Sequence, residues 1–120
     1  MKMFLFSATL VLVASSNACA TEALIFDGGG YTMEILIGQL DDPVIAQVRF
    51  MSPEAKDPVM IPRKLLRVEK FDMKKRILTM HFSNKNDPDL PASFSLSAKK
   101  DKAVLAISGK EIKSEFNWDI

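Results

Sequence analysis

From Ser93 to Ile120 the side chains switch between apolar and polar at almost every step, and this alternation limits the fold more than any other feature of the chain. Phe94, Leu96 and Ala98 stand against Ser93, Ser95 and Ser97. Ala103, Leu105 and Ile107 form a second set. Ile112, Phe116, Trp118 and Ile120 form a third, against Lys113, Glu115, Asn117 and Asp119. A period of two is what a strand with one buried face requires, because successive side chains leave opposite faces. A loop over residues 99–102 sets Ala98 opposite Ala103, Leu96 opposite Leu105 and Phe94 opposite Ile107. A two-residue turn at Gly109-Lys110, with glycine first as in a type II′ turn, sets Ile107 opposite Ile112 and Ala103 opposite Phe116. All five pairs fall on one face, which predicts a meander.

The upstream chain repeats the pattern with more interruptions. Leu24 and Phe26 open a short strand that Asp27-Gly28-Gly29-Gly30 stops. Residues 31–37 alternate as Tyr31, Met33, Ile35 and Ile37, with Leu36 out of phase. Val44, Ala46, Val48 and Phe50 form the next apolar face, so Ile37 is expected opposite Val44 and Ile35 opposite Ala46. Pro53, Pro58 and Pro62 make residues 52–64 a long loop or edge, with a brief strand at 59–61 and a short helix near 53–57 as expectations. Residues 65–71 and 76–83 read as a hairpin around a three-residue loop at Met73–Lys75. Its pairs are Asp72 with Arg76, Glu69 with Thr79, Arg67 with His81, Val68 with Met80 and Leu66 with Phe82. Asn84–Pro91 then breaks the pattern. The expected fold is all-β: a single small antiparallel meander of about eight strands, barrel-like or a two-sheet sandwich.

Met1–Ala20 reads as a cleaved signal peptide. Lys2 gives a positive start, residues 4–14 an apolar run too short to span a bilayer, and Ala18-Cys19-Ala20 a small-residue exit. Cleavage after Ala20 leaves one all-β domain, residues 21–120; cleavage after Ala18 is the alternative. Cys19 is the only cysteine. Ser16 and Asn17 precede it where a lipoprotein signal prefers an aliphatic residue, so removal with the signal is expected over lipidation. Only lipidation would bring a membrane anchor. The mature chain then has no disulfide and no thiolate, which places it in a bacterial periplasm or among secreted proteins. Its charges balance: the 16 basic residues less Lys2 leave 15, against 15 acidic. No whole-molecule field attracts nucleic acid or an anionic membrane.

Chemistry-bearing residues are few. His81 is the sole histidine, and its phase puts it on the polar face beside Arg67. Neither a nucleophile elbow nor a zinc ligand set is present, so no catalytic residue, metal or cofactor is expected. Asp41-Asp42 and Asp87-Pro88-Asp89 are read as solvated turn acids. Gly28, Gly29, Gly30 and Tyr31 form a flexible turn that could make an anion nest from its backbone N–H groups. This short segment is similar to one in small exported β-proteins that block lysozymes. The alternating serine and glycine that precede the tyrosine in those proteins are missing here, as are their usual cysteines.

The most uneven charge lies over residues 63–76. There Arg63, Lys64, Arg67, Lys70, Lys74, Lys75 and Arg76 face only Glu69 and Asp72. Arg63, Lys64, Arg67, Lys74, Lys75 and Arg76, with the glycine turn and Tyr31, are the candidate binding residues. The expected function is a non-enzymatic, exported protein-interaction module that engages an envelope protein, as an inhibitor or toxin-neutralising protein. The alternative is a carrier with a small apolar ligand inside the barrel. Phe94, Leu96, Phe116 and Trp118 are expected to fill that interior instead.

Overall fold

A computed structural model of the chain describes residues 22–38 and 43–118. The expected signal segment, Cys19, Asp41-Asp42 and Ile120 lie outside the described residues. Nine strands follow in order: β1 (Glu22–Gly28), β2 (Tyr31–Gly38), β3 (Val44–Met51), β4 (Val59–Met60), β5 (Leu66–Asp72), β6 (Ile77–Phe82), β7 (Phe94–Lys99), β8 (Lys102–Ile107) and β9 (Lys110–Asn117). Among the described residues, one 3₁₀ turn, Arg63–Leu65, precedes β5. Residues 53–57 form turns and bends in place of the expected helix.

All nine strands belong to one antiparallel sheet in the order β4-β3-β2-β1-β9-β8-β7-β6-β5. The first and last strands pair through Phe26 with Phe116 and Ile25 with Asn117. This is the strand order of an up-and-down barrel, opened between β4 and β5. The sheet curls into a half-barrel, and aromatic rings show how far. Phe50 on β3 stacks on Phe94 of β7 with centroids 4.8 Å apart, although β2, β1, β9 and β8 lie between those strands in the sheet. Phe82 adds a tilted contact to Phe94 at 5.2 Å, and Tyr31 one to Phe50 at 5.8 Å. Phe94, Leu105 and Phe116 all lie on the one buried face.

The hairpin β7–β8 has the expected register, from Ala98 with Ala103 to Phe94 with Ile107. The next hairpin turns one residue earlier than expected, which shifts each partner by two. Its central residues are Ser108 and Gly109, with φ of 52° and 76°, so Ile107 faces Lys110 and Leu105 faces Ile112. Positive φ at both positions marks a type I′ turn, whose twist matches that of the flanking strands. A slip of two leaves every side chain on its expected face.

Two β-bulges correct the other registers, and both admit the larger apolar residue. In β3 the extra residue is Ala46, so Ile37 pairs with Ile45 and Ile35 with Val48. Ile45 is buried, while Val44 and Ala46 are exposed. In β5 the bulge falls at Glu69. Val68 still faces Met80, but Lys70 now faces Thr79, Phe71 faces Leu78 and Asp72 faces Ile77. Uninterrupted alternation would have turned Lys70 inward and Phe71 out. An extra residue re-phases a strand at the cost of local pairing, and burying Ile or Phe in place of Ala or Lys removes more apolar surface from water. The β5–β6 loop therefore has four residues, 73–76, and not three.

Candidate functional site

The ten nominated residues do not form one site. Gly28–Tyr31 sits at the β1–β2 turn, with φ of +59° at Gly29 and +85° at Gly30. A Cβ on Gly28 would lie 2.6 Å from Cβ of Ser114, and one on Gly29 2.8 Å from a methyl of Ile112. One on Gly30 would meet Pro53 at 3.0 Å. The Ser114 hydroxyl also donates to the Asp27 carbonyl. Close packing against β9 and the residue-53 loop thus accounts for the glycine run, and Tyr31 leans on the core through Phe50.

The basic stretch divides along β5. Arg63 and Lys64 lie in the 3₁₀ turn before that strand, and Lys74, Lys75 and Arg76 in the turn after it. Seven extended residues separate the two groups by about 23 Å. Arg67 lies nearer the first group, opposite His81, and approaches Glu69 at 3.8 Å.

The second group joins cations that the linear pattern did not single out. The β5–β6 tip is shaped by Asp72, whose Oδ1 accepts the backbone N–H groups of Lys74 and Lys75 at 3.0 Å each. The neighbouring β7–β8 tip is tied to it, as the Lys100 N–H donates to the Arg76 carbonyl at 2.8 Å. From the other side the Trp118 indole N–H donates to the Lys100 carbonyl, and the Phe116 N–H to the Asp101 carbonyl. Lys99 and Lys102 are directly opposite one another in the ladder. With Lys70 they line a shallow depression of about 440 Å³ floored by Thr79, Ser97 and Val104. Among the described residues, seven cations (Lys70, Lys74, Lys75, Arg76, Lys99, Lys100, Lys102) meet four carboxylates (Asp72, Asp101, Glu115 and the adjacent Asp27), a local excess of three (7 − 4). The register between two separate hairpins creates this cluster, so neither hairpin shows it alone.

On the outer face Arg67, His81, Ser95, Ala106 and Glu111 form one row across five strands. His81 is held on both sides: Nδ1 is 2.8 Å from Ser95 Oγ and Nε2 is 2.8 Å from Glu69 Oε1. The His81 hydrogen bond, aided by the charges of His81, Arg67 and Lys70, holds the Glu69 carboxyl below its ordinary value of 4.5. Ser95 and Glu69 are the partners that sequence reasoning missed. The β6–β7 register reveals Ser95, and Glu69 reaches His81 across the β5–β6 ladder from the bulge. Hydroxyl, imidazole and carboxylate stand in line, as a nucleophilic relay requires. However, Ser95 lies in mid-strand between β6 and β8, with ladders on both sides, so the flanking backbone N–H groups are engaged and unavailable to an oxyanion. No group of three or more metal-ligating side chains occurs among the described residues.

The edge of the half-barrel forms the remaining feature. Inward-facing Leu78, Met80 and Phe82 of β6 are buried, whereas Leu66, Val68 and Phe71 of the edge strand β5 are only half-buried. Met60 of β4 is 45% exposed, but it pairs with Arg49 and so lies on the outer face and not in the opening. No protein-family model matches the chain, and no curated protein or solved structure matches it either.

Proposed function

We propose that the chain is a non-enzymatic, exported interaction module that engages an envelope protein at the opening between β4 and β5, as an inhibitor or toxin-neutralising protein. The carrying observation is that β5 leaves Leu66, Val68 and Phe71 half-covered beside an unpaired strand edge. Arg63 and Lys64 stand at one end of this strip. Partly exposed apolar side chains with a charged rim are what a protein partner covers with greatest gain. The stacked rings of Phe50, Phe94 and Phe82 occupy the interior, which favours this reading over a ligand carried inside. The engaged N–H groups around Ser95 favour it over a hydrolase.

Affinity capture from an envelope extract on the immobilised protein tests the proposal. A partner should be retained as a defined complex by the wild type, and lost with Arg63→Glu combined with Lys64→Glu. Failure of the folded wild type to retain any protein, or capture indifferent to those substitutions, would refute it.

A further inference from the structure

We infer that the basic end formed by the β5–β6 and β7–β8 tips is a docking surface for an anionic lipid bilayer. A balanced net charge hides it, because attraction at close range depends on local charge and is screened within about 8–10 Å at ordinary ionic strength. Three observations carry the inference. The first is convergence: among the described residues, seven cations from two hairpins gather at one end of the sheet, against four carboxylates. Asp72 already serves the backbone of its own turn, and Glu115 lies 3.9 Å from Lys102.

The second observation is that the arrangement opposes local stability. Lys99 and Lys102 are cross-strand neighbours of like charge, a destabilising pairing. Arg76 and Lys100 adopt φ of 57° and 55°, where glycine or asparagine would sit with less strain. Long cations therefore occupy positions that the turns themselves would give to other residues.

The third is composition, which decides between a bilayer and a protein. Six of the seven cations are lysines, and the large exposed apolar residues, Val44 and Met60, lie on other strands. Protein interfaces centre on aromatic residues and arginine and are depleted in lysine. A lysine-rich pair of tips without an aromatic anchor instead suits a surface recognised by its density of negative headgroups. The hydrogen bonds from Lys100 to Arg76 and from Trp118 to Lys100 hold the two tips together before any contact is made.

Co-sedimentation with phospholipid vesicles tests this surface separately from the β4–β5 opening. The protein should sediment with vesicles containing phosphatidylglycerol more than with vesicles of phosphatidylcholine alone. Raising the salt to 1 M, where the Debye length is about 3 Å, should abolish that difference. Each exposed lysine neutralised, in the series Lys75→Gln, Lys100→Gln and Lys74→Gln, should weaken partitioning about fivefold. Arg63→Gln with Lys64→Gln, at the far end of β5, should leave it unchanged. Equal sedimentation with both vesicle types, equal loss from the Arg63/Lys64 variant, or binding to dextran sulfate without binding to vesicles would each overturn the inference.

Discussion

At the scale of single residues, polar side chains on the outer face are placed by register and not by sequence neighbourhood. His81 meets Ser95 because β6 and β7 pair in that phase, and it meets Glu69 across the β5–β6 ladder. The consequence is a dependence on pH. Glu69 has a folded-state pKa below its unfolded value, so its bond contributes stability that is fully present above about pH 4.5. That contribution is lost as the pH falls through the depressed folded value, where the carboxyl protonates in both states. Glu69→Gln should therefore lower the urea midpoint at pH 7, and the gap from wild type should narrow progressively at acid pH below 4.5. A gap that stays constant down to pH 3 would show that the His81 bond does not favour the ionised form.

At the scale of elements, the strands were legible where the ladder runs without a bulge and misread where one intervened. Residues 94–107 show their pairing directly, since each apolar residue meets another under the simplest turn. In β3 the alternation Val44, Ala46, Val48, Phe50 is equally regular, yet the structure buries Ile45. A bulge costs one ladder position locally and gains a larger buried side chain. That balance depends on what lies across the core, which no single strand records. The same ring contacts make the curl testable. Phe50 touches β7 through Phe94 from the far side of the sheet, so Phe50→Ala removes both its own burial and the contact spanning the interior. It should cost about 3–5 kcal/mol in chemical denaturation, in the range for a large buried aromatic. A loss under about 1 kcal/mol would mean that the half-barrel holds its curvature without the stack.

For the whole molecule, the joint between the first and last strands is the narrow place. Among the described residues, β1 and β9 share two paired positions, whereas β7–β8 and β8–β9 share six each. Few ladder bonds imply a local opening with a lower free energy than the central hairpins. Hydrogen exchange followed by mass spectrometry should show residues 25–26 and 116–117 losing protection before Leu96 and Leu105. Simultaneous exchange throughout would indicate that the sheet opens as one unit. Charge also changes meaning at this scale, since a chain of 16 basic and 15 acidic residues folds into a body with one basic end.

The amino-acid order alone determined an antiparallel β domain, which side of most strands is oily, and the near absence of helix. These follow from periodicity, which is written along the chain. The tertiary structure decided where the sheet remains open, which cations share an end, and which hydroxyl and carboxylate flank the one histidine. Those outcomes arise because pairing between distant strands, shifted at two bulges, sets the neighbours of every outward side chain, and such neighbours are separated by many residues in the chain.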